Sequence, residues 1–371
     1  MATQHIGLLT GGGDCPGLNA VIWAAVRAAE HQGIAVSGIE DGFEGLVAGG
    51  SVRRLHLPDV RNILGQGGTV LGSTNRGNPF QFVVTEAGNE RTEDRSPEVV
   101  ANIARLGLDG IIAIGGDGTL AMAHELSLLG VNIIGVPKTI DNDLGSTDTT
   151  FGFYTAVETA MDALDRLKTT GESHDRVMIL EVMGRYAGWI ALHSGLTGGA
   201  HVILLPEIPY RLDAVLDRIH RRWDEEGRNF TMIVVAEGAH PAGEETLHVE
   251  AAQGGRIARV GGAAQWLESA LRARFAQSWD RPRRAPEIRT TVLGHIQRGG
   301  SPCAYDRLIS VRFGAEAVAL AAAGNWNRMV CLRGTQIESE PLHEAIRNLH
   351  VVDPAGQLVR QARAVGICLG Q

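Results

Sequence analysis

Residues 110–119 read GIIAIGGDGT, an apolar run that breaks at Gly115-Gly116-Asp117-Gly118-Thr119 and continues with helical apolar spacing to Leu129. A buried strand that ends in a glycine turn and opens a helix is the βα unit of a parallel sheet. The same pattern recurs along the chain. Ile6–Thr10 runs into Gly11-Gly12-Gly13-Asp14, and Val131–Val136 runs into Pro137-Lys138-Thr139. Arg176–Val182 leads to Met183-Gly184-Arg185, Val202–Leu205 to Pro206-Glu207, and Thr231–Ala236 to Glu237-Gly238. Helical spacing occupies Leu18–His31, Thr119–Leu129 and Thr155–Leu167 between them. Alternation of this kind predicts an α/β protein with doubly wound sheets. Ligands of such sheets gather beyond the C-terminal strand ends, where every one of these turns falls.

Length and composition agree with that class. The 371 residues are 44% hydrophobic, enough for two domains of roughly 100–200 residues each. Glycine is abundant at 48 residues, as short strand-to-helix turns require. The formal charge of −8 excludes a general nucleic-acid binder while leaving room for a locally basic pocket. No uninterrupted apolar run reaches the ~18 residues of a membrane span. The start MATQHIGLLTGGGD enters a strand directly and lacks the marks of a secretory signal. Cys15, Cys303, Cys331 and Cys368 form no close metal-type pair and read as reduced thiols of a cytoplasmic protein. Cys15, in the glycine-rich loop, is expected within reach of oxidants. Residues 239–288 read as loop plus one helix around Ala263–Phe275, and Ala315–Gln371 as helices with a short strand near Arg328–Leu332.

Four motifs carry chemistry. Gly11–Ala20, GGGDCPGLNA, is a strand–turn–helix junction whose backbone N–H groups and helix dipole suit an anion. It matches neither G-x-x-x-x-G-K-[ST] nor a clean G-x-G-x-x-G, so a plain tight turn also accounts for it. In Gly115–Thr119 the glycines admit a polyphosphate close to the backbone, and Asp117 offers oxygen to Mg²⁺; the alternative is an Asp helix cap. Pro137–Asp143, PKTIDND, sets two carboxylates two residues apart at a strand end, one able to take a proton and the other to organise cations. An Asx turn does not account for so specific a run. Arg176, Arg185, Arg289, His295 and Arg298 supply cations at strand ends or in the glycine-flanked stretch Gly294–Gly300.

Together these resemble the phosphofructokinase family from about residue 5 to residue 330. The matching stretches, in order, are GGGDCPGLNA, GGTVLGSTNRGNP, GGDGT, PKTIDND, SHDRV, EVMGRYAGW, LPE, TTVLGHIQRGGSP and YDR. The resemblance implies two three-layer α/β/α domains with the active site in the cleft between them. A phosphoryl-donor domain would take residues 1–152 and 297–347, and a fructose 6-phosphate domain 153–296 and 348–371. It implies transfer of a phosphoryl group, from ATP or pyrophosphate and with Mg²⁺, to the 1-hydroxyl of fructose 6-phosphate. Gly12, Arg76, Gly77, Gly116, Asp117, Gly118 and Thr119 would bind the donor, with Asp117 on the metal. Asp141 would be the general base, supported by Thr139 and Asp143, and Arg185 would neutralise charge in transfer. Met183, Gly184, Arg185 and Glu207, with Thr139 and Asp141, would line the sugar. Arg176, Arg289, His295 and Arg298 would hold its 6-phosphate. Family arginines matching Arg176 and Arg289 reach a neighbouring subunit's site, which implies a homo-oligomer, a dimer or tetramer.

Donor identity turns on Gly118 and Lys138. Pyrophosphate-dependent relatives usually place Asp at the first position and Lys at the second, so this chain is mixed. Glycine at 118 leaves the α-phosphate space open and favours ATP, with pyrophosphate as the alternative. Trp23 stands where many allosteric members carry Arg, while Arg27 is retained, which bears on effector binding. A non-catalytic nucleotide-sensing subunit would be expected to damage Asp141, Arg185 or the GGDGT turn, and all are intact. A lipid or NAD kinase would share only GGDGT, and a dehydrogenase would need a dinucleotide fingerprint that is missing.

Overall fold

The structure is a computed structural model that describes residues 2–47, 50–75, 77–86, 89–244, 248–250, 259–279 and 285–371. The described residues fall into two compact units. One is drawn from Met1–Thr155 and Arg298–His350, the other from Ala156–Ala251, Ala258–Gln297 and Val351–Gln371.

The first unit is built on a seven-stranded sheet in the order Gln336–Pro341, Arg328–Arg333, Ile133–Pro137, Gly110–Gly115, His5–Thr10, Ala35–Ile39, Val52–Leu55. Its five inner strands run parallel, and both edge strands are antiparallel. Gly110–Gly115 is buried along its whole length, because helices cover both faces of a sheet wound in this way. Leu9, Ile111, Ala113 and Ile133 pack with Leu120, Ala123 and Leu126 of helix Asp117–Leu128 and with Val99 and Ile103 of helix Ser96–Arg105. Helices Leu18–His31 and Ala304–Ala322 pack together on the sheet as well. A hairpin, Phe82–Glu86 with Asn89–Glu93, completes the unit.

The second unit has four parallel strands in the order Ile288–Val292, Val177–Val182, Thr231–Ala236, Val202–Leu204. Val177, Ile179, Val202, Leu204, Ile233 and Val235 face helices Leu212–Asp224 and Ala263–Ser278. Ile203, alternating to the other face, meets helix Trp189–Thr197 at Gly195. Glu181 shares the face of Val177 and Ile179, yet its carboxylate accepts the Ala264 N–H at 2.8 Å and so caps a helix from inside the apolar layer. Burial pushes that carboxyl up.

Several expectations change in detail. The stretch read as loop plus one helix holds that helix as Ala263–Ser278, together with a two-stranded pairing of His248–Glu250 with Arg259–Val260, and the strand Ile288–Val292 begins at its end. Cys15 is fully buried beside Phe151 and Gly152, not reachable by oxidants, and burial pushes its thiol up to about 12. All four cysteines are free thiols. Among the described residues no helix is long and apolar enough to cross a membrane.

One buried base makes the fold acid-sensitive. His201 Nδ1 accepts the Met232 N–H at 2.8 Å, which requires that nitrogen to be unprotonated. Burial, reinforced by Arg222, Arg218 and Lys168, holds the imidazole down at about 3 from its ordinary 6.5. Between those limits the unfolded chain binds the extra proton, so the contribution is present above pH 6.5 and is lost as pH falls toward 3. Stability should therefore drop by about 2 kcal/mol from this group between pH ~7 and pH ~5. Urea unfolding of the wild type and His201→Asn across that range checks it: the variant should lose less stability on acidification, and parallel curves would remove His201 as the cause.

Candidate active site

In the first unit the chain turns from one side of the sheet to the other between His5–Thr10 and Gly110–Gly115, the switch point at which such sheets bind ligands. Register aligns Thr10 with Ile114 and Gly115 with Pro137, so the turns after three neighbouring strands emerge side by side. Backbone bonds extend the ladders into them: Gly11 N donates to Ile114 O at 2.9 Å, and Lys138 N to Gly115 O at 2.9 Å.

The first turn is held from several directions. Gly12 has φ 77°, a left-handed conformation that favours glycine, and its N–H donates to Thr74 O at 3.1 Å. Asn19 clamps the adjoining loop, donating to Gly67 O at 3.0 Å and accepting from Val70 N at 2.8 Å. Lys138 is only 4% exposed and its ammonium donates to the Gly13 carbonyl. Burial holds that ammonium's pKa low, Arg298 adds to the effect, and Cys15, Asp117 and Asp14 oppose it. Arg298 donates to Asp14 O at 3.3 Å. Thr119 is buried against Gly11 and Gly115, whereas Asp117 and Gly118, in the first turn of helix Asp117–Leu128, are exposed. Gly77 packs against Glu44 and Thr74. Arg76 lies outside the described residues.

The third turn carries the carboxylates. Asp141 N donates to Thr139 Oγ1 at 3.1 Å. Asn142, at φ 53°, is buried and its Oδ1 accepts the Thr150 N–H at 2.9 Å. His350 N donates to Asp143 O at 2.8 Å, and the His350 ring meets Asn142 O at 3.0 Å. Burial pushes the Asp143 carboxyl up, the Asp117 charge adds to it, and the Thr139 hydroxyl and Lys138 pull the other way. Asp306 of the YDR motif has a purely structural place. It is fully buried and accepts both the N–H and the hydroxyl of Thr155, at 2.7 and 2.6 Å, where helix Phe153–Ser173 begins.

In the second unit Met183, Gly184 and Arg185 follow the strand Val177–Val182, and His295 lies in the short turn Gly294–Arg298 after the neighbouring strand. Gly184 takes φ 139°, and its carbonyl accepts the Gly238 N–H at 3.1 Å. The Arg185 guanidinium lies over Tyr186, 5.6 Å from the ring centre. Glu207 Oε1 accepts the N–H groups of Gly188 at 2.9 Å and Val352 at 2.7 Å. Its Oε2 is buried with no hydrogen-bond partner among the described residues. Burial pushes this carboxyl up, opposed by those backbone donors.

Arg176 and Arg289 stand elsewhere. They lie at the N-terminal edge of the same sheet, Arg289 in register with Met178. At roughly 3.3 Å per residue, Arg176 is about 20 Å from the turn that carries Met183. Both pair with Glu287, Arg176 at 2.8 Å. The second unit therefore brings Met183, Gly184, Arg185, Glu207 and His295 to one sheet end and leaves Arg176 and Arg289 at the other. Arg298 belongs to the first unit, at the glycine turn.

A Mg²⁺ ion fits one part of this arrangement. Among the described residues no three acidic, histidine or cysteine side chains cluster as a protein-only metal site. Mg²⁺ is commonly held by one or two carboxylates together with substrate phosphates and water, which the exposed Asp117 at a helix start beside an open glycine matches.

The phosphofructokinase family model matches residues 5–321. An ATP-dependent 6-phosphofructokinase of Chloroflexus aurantiacus is 49% identical over 367 residues, 99% of this chain and 98% of that protein. A pyrophosphate–fructose 6-phosphate 1-phosphotransferase of Amycolatopsis methanolica is 47% identical over 353 residues, 95% of this chain and 97% of its own. Among solved structures, Pichia pastoris phosphofructokinase in the T-state superposes with a TM-score of 0.76 at 28% identity, covering 94% of this chain and 36% of that one. With the turns, the two α/β/α units and these likenesses in agreement, the chain belongs to the phosphofructokinase family.

Proposed function

We infer that the protein is an ATP-dependent 6-phosphofructokinase, which transfers the γ-phosphoryl group of ATP to the 1-hydroxyl of fructose 6-phosphate. The observation that carries this reading is the side-by-side emergence, at a switch point, of a glycine cradle, an acid-led helix start and the Asp141 turn. Phosphoryl transfer needs alignment and charge neutralisation more than covalent chemistry. Gly12, Gly116, Gly118 and Thr119 cradle the donor phosphates. A Mg²⁺ ion held by Asp117 and those phosphates supplies charge neutralisation when bound. Asp141 takes the proton of the attacking hydroxyl, with Thr139 and Asp143 fixing its turn, and Arg185 offsets charge on the transferring group.

On the sugar side, Met183, Gly184 and His295 line the ligand. Glu207 uses the carboxylate oxygen left over from its backbone bonds to accept from a sugar hydroxyl. Arg298 holds the 6-phosphate. Arg176 and Arg289 act on the sugar phosphate of a neighbouring copy, a role supported by their place at the opposite sheet edge. The working protein is thus a homo-oligomer with shared sites. Four free thiols support a reducing compartment, the cytoplasm.

A second donor reading, pyrophosphate, is favoured by Lys138 and by the identity to the Amycolatopsis methanolica relative. What supports ATP is the open space around Gly118 and the burial of Lys138 beneath the glycine turn. A coupled assay with fructose 6-phosphate, Mg²⁺ and either ATP or pyrophosphate separates them. Turnover with ATP is expected; turnover with pyrophosphate alone would reverse the donor, and none with either would overturn the function.

A further inference from the structure

The turn Met183–Arg185 stands just beyond its strand, so what fixes its backbone also fixes the side chains it presents. On one side Glu237 N donates to Val182 O at 2.9 Å and Gly238 N to Gly184 O. On the other side a parallel ladder with Ile288–Val292 proceeds as far as Leu293 N, which donates to Glu181 O at 3.1 Å. The next bond of that ladder would run from Met183 N to Leu293 O. It is not made, because the chain bends into Gly294–Arg298 and Leu293 O accepts from Ile296 N at 3.2 Å.

The side chain of Gln297 takes over the vacated position. It is fully buried, and its Oε1 accepts the Met183 N–H at 2.7 Å. Its Nε2 donates to Ala156 O at 3.3 Å, in the first turns of helix Phe153–Ser173. The amide orientation is dictated by its partners, since Met183 N–H can only donate and Ala156 C=O can only accept. One neutral side chain thus joins three segments and replaces a missing strand residue.

We propose that Gln297 is a positioning residue for fructose 6-phosphate, holding the Met183–Arg185 turn in register without touching the sugar. This rests on the function inferred above. Gln297→Met keeps the length and apolar bulk but leaves both backbone partners unsatisfied. Gln297→Glu can still accept from Met183, but it can donate to Ala156 only when protonated, a form that burial favours up to pH values above the usual carboxylate range.

Steady-state kinetics of the full-length wild type and both variants, with amide exchange at Met183, test the proposal. In Gln297→Met the KM for fructose 6-phosphate is expected to rise about tenfold, the worth of one buried hydrogen bond, with the donor KM unchanged. Met183 N–H exchange is expected to accelerate. Gln297→Glu should match the wild type near pH ~6; near pH ~9 its carboxylate still accepts from Met183 but leaves Ala156 O unpaired, so the sugar KM should rise there by less than in the methionine variant. An unchanged sugar KM in Gln297→Met, equal rises in both KM values, or a glutamate variant that tracks the wild type at all pH values would overturn it. If Gln297→Met does not fold, the glutamate pH profile decides. A wild type inactive on fructose 6-phosphate would instead sink the function inferred above, and exchange at Met183 would still report on the hydrogen bond.

Discussion

Replacing Asp141 with alanine is expected to lower kcat by about 10²–10⁴, the usual worth of a positioned base, while fructose 6-phosphate still binds. The variant should fold, because the turn around residue 141 is held by groups other than its carboxylate. Asn142 carries the left-handed φ and accepts from Thr150 N, Thr150 Oγ1 donates to Thr139 O at 2.7 Å, and His350 N bonds Asp143 O. Rapid-quench turnover together with calorimetric sugar binding reads both halves of the expectation. Unchanged kcat would remove Asp141 from the mechanism, and lost binding with a normal fold would recast it as a sugar ligand.

The sequence made the inner layers of this molecule readable because their signals are local. Gly110–Gly115, Thr231–Ala236 and Leu18–His31 lie where apolar runs, glycine turns and helical spacing put them. The antiparallel edges were harder. Val52–Leu55 drew no reading, and Gln336–Pro341 fell in a stretch read as helices with one short strand; both are half exposed, since an edge strand needs only one buried face. The candidate site was legible as a set of turns, but its sorting was not. Arg176 belongs to the same apolar run as Val182, yet strand direction places it at the far end of the sheet from Met183. Gln297, Asn19 and Asp306 were read only as members of their motifs, with no role of their own. A lone polar residue in a motif looks the same whether it faces a ligand or bonds the backbone of a distant segment. Only the packed chain, which puts Gln297 against Met183 and Asp306 against Thr155, tells these apart.

Gly118→Asp is expected to lower kcat/KM for ATP by about 10–10², and to spare pyrophosphate use, if the open space beside the helix start receives the α-phosphate. The substitution is well suited to the test because the fold does not require glycine there. Gly118 is exposed, its φ is not in the left-handed region, and an added Cβ meets nothing within 4 Å. An extra acid in the first turn of helix Asp117–Leu128 is favourable to the helix by about 0.3–1 kcal/mol, so stability should hold or rise slightly. Any loss must then come from the donor. Two like charges roughly 4 Å apart at an effective dielectric of about 20 repel by about 4 kcal/mol, and solvent at an exposed site reduces that to about 1–3 kcal/mol. Lys138 offers little relief, since its ammonium is buried and committed to the Gly13 carbonyl. Parallel assays with ATP and pyrophosphate decide the matter. A fall in both donors would place the new carboxylate against phosphates common to the two, and ATP kinetics equal to the wild type would remove Gly118 as the determinant of donor choice.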